Sequence, residues 1–278
     1  MNNFVQRTLS SVVYAGSIIL LTICSEGYFG LMFCAVLAAI MLWAVWEFHH
    51  LMGSSRFNTI WSMLTALIVY GGVVVYIMKP FPTESSVLAI LFGWAVLMLY
   101  VGLIVQLWLK REHPVQEWGN NLISIYMVAM PFILMPLILS YNKWVLLALF
   151  VIIWLNDAGA YCVGMLTAKL PGGNHKMFPR VSPKKSWEGL IGGVAFAILT
   201  GYIFSLCEPI IPTWQWLVYA AVIAVSGNLG DLMESLMKRS IGVKDSGFFL
   251  PGHGGVLDRF DSLLLATPCA VLLLALFL

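Results

Sequence analysis

The chain has 278 residues, of which 60% are hydrophobic and only 10% are charged. Soluble domains carry about 25% charged residues, so a water-soluble fold could not cover this much apolar surface with polar groups. The composition therefore excludes a soluble globular domain. It predicts an all-α, polytopic integral membrane protein, because helices of about 20 apolar residues cross a bilayer. The net charge of +2 says little as a total.

Apolar runs follow one another along the whole chain, separated by polar or Pro/Gly-rich breaks. They predict about nine transmembrane helices, at 10–24, 28–46, 60–78, 86–108, 121–140, 144–166, 187–206, 214–233 and 261–278. Tryptophans gather near the ends of these runs, as in an interfacial aromatic belt.

The distribution of Lys and Arg predicts the orientation of these helices. With the N-terminus in the cytoplasm, thirteen of the fifteen basic residues lie on the cytoplasmic side, and only Lys79 and Lys143 lie outside. This bias follows the positive-inside rule. A miscounted span would mix the two sets, so the bias also supports nine spans and a C-terminus outside.

Charge concentrates in two long cytoplasmic segments, the 167–186 loop and the stretch before the last run, which together hold nine of the fifteen basic residues. A basic patch alone would suit anionic lipid headgroups. Carboxylates among the bases instead indicate Mg²⁺, which takes a few carboxylates together with substrate phosphates. The carboxylates in or beside these segments are Asp157, Glu188, Asp231, Glu234, Asp245, Asp258 and Asp261.

The segment SPKKSWEG, residues 182–189, precedes the seventh run. Ser182 suits a helix N-cap and Pro183 the first helical position. Lys184 and Lys185 would then lie in the first turn, where the helix dipole disfavours cations unless an anion binds there. The pattern predicts a phosphate site; ordinary flanking lysines remain the alternative.

The segment GNLGDLMES, residues 227–235, ends the eighth run. On a helix Asp231, Glu234 and Ser235 would share a face. A carboxylate near the end of an apolar run is costly unless it is paired or metal-bound, so Asp231 is a functional candidate. Asp157 interrupts the sixth run in the same way. Satisfaction by a helix neighbour is the alternative for both.

The stretch KDSGFFLPGHGGVLDRFDS, residues 244–262, stands directly before the last run. Asp258, Asp261 and Ser262 have helical spacing there, and carboxylates suit the start of a helix. The glycines allow the backbone to approach a ligand closely. A purely structural turn is the alternative, and no P-loop pattern occurs.

Three weaker features contain histidine. The segment EFHH, with Glu47, His49 and His50, has residue types that bind metals, but it is interpreted as interfacial because it ends a span among polar residues. His113 and His175 are interpreted as lone loop histidines without an evident partner.

Residues 235–261, SLMKRSIGVKDSGFFLPGHGGVLDRFD, resemble the signature of the phosphatidate cytidylyltransferase (CDP-diacylglycerol synthase) family. The two segments 182–189 and 227–235 also resemble family motifs, so the specific resemblance covers about residues 156–262. The N-terminal half is similar only in having several spans.

The resemblance implies an enzyme that makes CDP-diacylglycerol and pyrophosphate from CTP and phosphatidic acid with Mg²⁺, which K⁺ can accompany. Asp231 and Asp258 match the family's metal-binding aspartates, and Ser235 matches a serine near that centre. We add Asp157 as a further candidate ligand. Family members are commonly dimeric, so a homodimer is expected, and no nucleic acid partner is expected.

Roles for the basic and glycine residues follow from this reaction as hypotheses. Lys184 and Lys185 would clamp the triphosphate, with Ser186, Gly254 and Gly255 as further nucleotide contacts. Lys238, Arg239 and Arg259 would bind phosphatidate or pyrophosphate, and Lys244 and His253 would contact phosphate. Asp261 would orient Arg259 or a metal-bound water, and Glu188 would support the residues that contact the substrates.

The expected organisation is an N-terminal half of variable transmembrane helices with potential dimer contacts, residues 1–140, and a C-terminal catalytic half, residues 141–278. No glycosylation sequon occurs, and a bacterial inner membrane with a cytoplasmic active site is expected. The alternatives are a CTP-dependent polyprenol or phytol kinase, which would transfer the γ-phosphoryl group, and an ion transporter.

Overall fold

The computed structural model describes residues 15–25, 28–78, 86–109, 112–247 and 254–277. Most of this part of the chain is helical, and its two strands are three and five residues long. The prediction of an all-α membrane protein is confirmed. Apolar helices of this kind form in lipid because every backbone N–H and C=O finds its partner within the same segment.

The chain divides into two units. The first comprises the described residues up to Ser140 together with Asp245–Arg259. It contains a helix α1 over 15–23, α2 (Tyr28–Leu51), α3 (Arg56–Met78), α4 (Ser86–Leu109), α5 (Pro114–Ile123), a π-helical segment (Ser124–Ala129) and most of α6 (Met130–Tyr141).

The second unit comprises Tyr141–Lys244 and Phe260–Leu278. It contains α7 (Lys143–Thr167), β1 (Lys176–Phe178), β2 (Ser182–Ser186), α8 (Trp187–Cys207), α9 (Thr213–Ser240) and α11 (Leu263–Phe277). A short helix α10 (Leu257–Phe260) carries the chain from the first unit back into the second.

Eight segments within the described residues are long and apolar enough to cross a membrane. They are Gly30–Leu51, Arg56–Met78, Ile90–Leu109, Pro114–Tyr141, Lys143–Thr167, Trp187–Cys207, Thr213–Ser240 and Leu257–Phe277. Each corresponds to one predicted run, and the remaining run, 10–24, lies only partly within the described residues. The orientation of the termini stays a prediction.

Helices α7 and α8 pack closely in the second unit because glycines remove side chains from the contact. A methyl group on Gly193 would lie 2.7 Å from both the backbone O and Oδ1 of Asn156. One on Gly189 would lie 3.0 Å from the backbone O of Ala160. The Gly189–Gly193 spacing is the small-residue pattern by which membrane helices approach each other. This close packing places the end of α7 beside the start of α8.

Candidate functional site

Strand β2 carries the two lysines that sequence analysis placed in a helix. It pairs with β1 in antiparallel register, Lys176 opposite Ser186 and Phe178 opposite Ser182. The prediction that Ser182 is the N-cap and Pro183 the first helical residue is wrong. Lys184 and Lys185 therefore precede helix α8 rather than occupying its first turn, and the helix-dipole reason for binding an anion there no longer applies.

The N-cap of α8 is Ser186, whose backbone is extended. Its Oγ accepts a hydrogen bond from the backbone N of Gly189 at 3.1 Å, which satisfies one of the orphan donors at the helix start. The prediction of Ser182 failed because the pairing of β1 with β2, which keeps residues 182–186 extended, is not visible from local sequence.

Lys185 reaches from β2 to helix α9. Its Nζ lies 2.8 Å from Oδ2 of Asp231 and donates to the backbone O of Asn228 at 3.1 Å. Ser235 donates from Oγ to Oδ1 of Asp231 at 3.2 Å, so the predicted shared face of Asp231 and Ser235 is confirmed. Asp231 thus receives a cation on one carboxylate oxygen and a hydroxyl on the other.

Asp157 on α7 belongs to a chain of amide contacts that leads to α9. Asn156 donates from Nδ2 to Oδ1 of Asp157 at 3.2 Å, and Asn228 donates from Nδ2 to Oδ1 of Asn156 at 3.2 Å. Both asparagines are buried. Two buried amides therefore connect Asp157 to helix α9, the helix that carries Asp231.

These side chains surround one pocket of about 480 Å³ in the second unit, within the usual range for small-molecule sites of about 300–1,000 Å³. Tyr161, Met165 and Leu190 contribute apolar surface to it. Its charged and amide residues are Asp157, Asn174, Lys176, Lys184, Lys185, Asn228 and Asp231. The pocket brings together both lysines of the 182–189 segment with two of the four predicted metal ligands.

A second contact closes the base of the hairpin. His175 donates from its backbone N to Oε2 of Glu188 at 3.0 Å, and its Nδ1 lies 2.6 Å from Oε1 of the same carboxylate. Trp187 donates from its backbone N to the O of His175 at 3.0 Å. The interpretation of His175 as a lone histidine is therefore wrong, and Glu188 supports the hairpin that carries the lysines.

Lys238, which was assigned to a phosphate, lies in a buried ion pair on α9. Its Nζ is 2.5 Å from Oε2 of Glu234, and the two side chains are 9% and 0% exposed. Arg239 donates from Nη1 to the backbone O of Val243 at 3.0 Å, and Lys244 is exposed. At the start of the last span, Asp261 accepts from the backbone N of Ser262 at 2.6 Å.

The described part of the signature in the first unit is organised around Asp258. Its Oδ2 accepts hydrogen bonds from the backbone N of Ser246 at 2.9 Å and of Gly255 at 2.8 Å. Gly254 has φ of 76°, and a side chain there would overlap Oδ2 of Asp258. His253 lies outside the described residues, and Arg259 follows in α10 as a half-buried side chain.

Glu47 is the residue that sequence analysis missed. It is 3% exposed and His49 is 0% exposed, so interpreting both as interfacial is wrong. His49 Nε2 lies 3.1 Å from Oγ of Ser124, whereas His50 is exposed and stacks on Trp46. The available signal was a carboxylate directly after the apolar run 28–46, because a carboxylate at the end of a span is costly unless it is paired or functional.

The oxygen donors of the second unit suit a hard cation. No three His, Cys, Asp or Glu side chains converge as a complete ligand set among the described residues. Mg²⁺ does not require one, because it is usually bound by one or two carboxylates together with substrate phosphates and waters. Asp157 and Asp231, with the Ser235 hydroxyl beside Asp231, fit that demand.

The model of a family described as the cytidylyltransferase family matches residues 5–277. The chain belongs to the cytidylyltransferase family. This cytidylyltransferase is a nucleotidyltransferase enzyme, as the signature predicted, and it is an integral membrane protein whose relatives below are bacterial.

Several curated relatives carry the name phosphatidate cytidylyltransferase. The protein of Staphylococcus epidermidis is 33% identical over 269 residues, which cover 96% of this cytidylyltransferase and 98% of the relative. That of Staphylococcus aureus is 32% identical over 270 residues, with the same coverage of 96% and 98%. That of Bacillus subtilis is 47% identical over 128 residues, 46% of each chain.

Proposed function

We propose that this cytidylyltransferase converts CTP and phosphatidic acid into CDP-diacylglycerol and pyrophosphate. The observation that carries the proposal is the pocket of about 480 Å³ in which Lys184 and Lys185 stand beside Asp157 and Asp231. Cations and carboxylates in one site suit a metal-bound polyphosphate better than either charge alone would. The names of the bacterial relatives supply the lipid substrate and the type of transfer.

The reaction joins a phosphate oxygen of phosphatidic acid to the α-phosphorus of CTP. The bond from the α-phosphorus to the bridging oxygen of the β-phosphate breaks in line, and pyrophosphate leaves with that bonding pair. The attacking phosphate monoester is already anionic at neutral pH, so no general base is required. Phosphoryl-type transfer depends mainly on positioning and on neutralising charge, which is what the residues of this pocket can provide.

Lys184 and Lys185 are proposed to hold the triphosphate. Lys184 is exposed at the pocket, and Lys185 is held in place by Asp231 and the carbonyl of Asn228. An ammonium group oriented in this way is prepositioned for a phosphate oxygen, and charge-assisted contacts of this kind are the strong ones. Glu188 maintains this arrangement through His175 at the base of the hairpin.

Mg²⁺, with K⁺ as an optional second ion, is proposed as the cofactor. Asp231, with Asp157 and Ser235 beside it, would hold the ion, and the signature assigns Asp258 the same role by resemblance. When bound, such an ion neutralises phosphate charge and stabilises the leaving group.

The location of the reaction follows from its substrates and from the charge bias. One substrate is anchored in a bilayer and the other is a soluble nucleotide, so they meet at a membrane surface. The Lys and Arg distribution favours the cytoplasmic side for that surface, and the bacterial relatives favour the inner membrane. A homodimer remains part of the proposal from the resemblance alone.

Labelled CTP tests the proposal against the kinase alternative. Purified protein is incubated with Mg²⁺, with phosphatidic acid, a polyprenol or phytol as the lipid, and with CTP carrying radioactive phosphorus at either the α or the γ position. Cytidylyl transfer puts the α label into lipid and releases the γ label as pyrophosphate. Incorporation of the γ label into a polyprenol or phytol, with release of CDP, would instead establish a kinase.

Two further measurements complete the test. Asp258→Asn should abolish CDP-diacylglycerol formation in membranes that contain a normal amount of protein, and retention of most activity would remove Asp258 from the metal role. The transporter alternative requires ion flux in liposomes without nucleotide, which we do not expect.

A further inference from the structure

Glu47, near the end of helix α2, is a buried carboxylate outside the family signature. It lies in a span of the N-terminal half, which the family model also matches, although the signature motifs lie elsewhere in the chain. Its side chain is 3% exposed. Burying a carboxylate is costly unless hydrogen bonds stabilise the charge, so its partners indicate what it does.

Both oxygens of this carboxylate bind the signature segment within the first unit. Ser246 donates from Oγ to Oε1 in a short hydrogen bond. Val256 donates from its backbone N to Oε2 at 2.8 Å. Ser246 and Val256 are themselves 6% and 5% exposed. One side chain from α2 therefore joins two positions that lie ten residues apart in the signature.

Asp258, which belongs to the signature itself, binds the backbone at the same two places, at Ser246 and beside Val256. Its Oδ2 accepts from the backbone N of Ser246 and of Gly255. Glu47 thus binds the hydroxyl of Ser246 and the amide of Val256, while Asp258 binds the neighbouring amides. The orientation of Asp258 and the position of Glu47 depend on each other through Ser246 and the Gly255–Val256 pair.

Two glycines of the signature lie so close to Glu47 that a side chain at either position would crowd its carboxylate. A methyl group on Gly255 would overlap Oε1 of Glu47, and one on Gly247 would lie 3.2 Å from the same oxygen. The backbone approaches the carboxylate this closely only because neither residue has a side chain. The backbone at Gly247 and Gly255 therefore leaves room for the Glu47 carboxylate.

We propose that Glu47 is a positioning residue for the transfer reaction, acting through Ser246 and Val256 on the orientation of Asp258. The proposal rests on the proposed function, in which Asp258 binds the metal. Hydrogen bonds from backbone and hydroxyl donors to a buried carboxylate are charge-assisted and hold their donors firmly. Outer groups of this kind orient the ligands of a metal, and their loss costs about 10–100-fold in activity or metal affinity.

Two replacements of Glu47 distinguish a residue that positions Asp258 through hydrogen bonds from one that only fills space in the protein interior. Glu47→Ala removes both acceptors. Glu47→Gln keeps the shape: its amide oxygen can accept from the N of Val256, and its NH₂ can donate to Oγ of Ser246. We expect kcat to fall about 10–100-fold in Glu47→Ala, with a smaller change in the KM for CTP. Glu47→Gln should recover part of the loss.

A matched control is available in the same unit. Glu117 accepts a hydrogen bond from the backbone N of Ser55 at 3.0 Å and another from the side chain of Asn58. Like Glu47, it is therefore a carboxylate that accepts a hydrogen bond from a backbone amide distant in sequence. Glu117→Gln should leave kcat per folded molecule unchanged. If Glu47→Ala does not fold, Ser246→Ala provides the second variant, because it removes one contact to Glu47 and retains the carboxylate.

Hydrogen exchange at the amides of Ser246, Gly255 and Val256 gives a readout that needs no activity. Removing charge-assisted bonds should accelerate exchange by about tenfold or more in Glu47→Ala, and Glu117→Gln should not. Unchanged exchange, or a kcat per folded molecule equal to the wild type, would overturn the positioning role. A wild-type enzyme that makes no CDP-diacylglycerol would overturn the proposed function, while accelerated exchange would still support the anchoring of this segment.

Discussion

The Nζ of Lys185 lies 2.8 Å from Oδ2 of Asp231, which joins strand β2 to helix α9 within the second unit. The two residues come from segments that sequence analysis treated separately, one for the triphosphate and one for the metal. Their contact means that nucleotide phosphates and a cation would approach the same pair of charges. Substrate binding would thus exchange an ion pair within the protein for contacts with phosphate and metal.

Lys185→Ala should weaken the binding of CTP much more than it lowers the stability of the fold. The side chains of Lys185 and Asp231 are 20% and 32% exposed, and partly exposed pairs contribute at most about 1 kcal/mol to the free energy of unfolding. Loss of a charged contact to phosphate costs about 1.5–3 kcal/mol, which is about tenfold or more in the apparent KM for CTP. Steady-state kinetics and thermal unfolding in detergent measure the two effects. Lys169→Ala is the control, and an unchanged KM for CTP in Lys185→Ala would contradict the clamp.

Asp231→Asn should remove activity without unfolding the protein. A cation at the reacting phosphates contributes several kcal/mol, so the rate should fall at least about 100-fold at saturating Mg²⁺. The amide keeps the size of the carboxylate and can still accept from Ser235. Glu208→Gln, a change of the same kind beyond the end of α8, should keep wild-type turnover. Near-normal turnover in Asp231→Asn would exclude this residue as a metal ligand.

Lys238→Met should act mainly on stability. It leaves the fully buried carboxylate of Glu234 without its cation, and breaking a buried pair in this way costs about 3–5 kcal/mol of unfolding free energy. The double variant Glu234→Gln/Lys238→Met should be more stable than Lys238→Met alone. Denaturation of the purified variants tests this order. If Lys238→Met is as stable as the wild type but inactive, the residue binds substrate instead.

Gly193→Ala should loosen the packing of α7 against α8. The added methyl group would meet the backbone O and Oδ1 of Asn156 at 2.7 Å, and overpacking of this kind costs about 1–3 kcal/mol. Displacing Asn156 would also disturb Asp157 and Asn228, so activity should fall as well. Gly93→Ala meets nothing within 4 Å and should not lower the unfolding temperature. Equal unfolding temperatures for Gly193→Ala and the wild type would show that α8 can shift without cost.

Several features of the site followed from local sequence. Asp231 and Ser235 share a face because a helix repeats every 3.6 residues, and α9 runs unbroken through both. Asp157 was recognised because a carboxylate is conspicuous in an apolar run. Nucleotide binding at the 182–189 segment was predicted from the wrong geometry, because the lysines lie on a strand.

The features that were missed depend on contacts between distant residues. His175 was paired with Glu188 only by a hairpin that brings together residues 13 apart. Glu47 and Ser246 are 199 residues apart, and no sequence pattern near Glu47 predicts that Ser246 is its partner. The burial of Glu234 and Lys238 likewise depends on what packs around α9 and not on the helix itself.

The amino-acid sequence determined the membrane-spanning, all-helical class and the family. Hydrophobicity acts on each segment separately, and a fixed order of polar residues identifies a signature without any folding. Tertiary structure alone decided which charges are paired, where helix α8 begins and which carboxylate holds the signature segment. Those outcomes depend on which side-chain surfaces are buried against each other, out of contact with both lipid and water. Such burial is decided only when the whole chain packs.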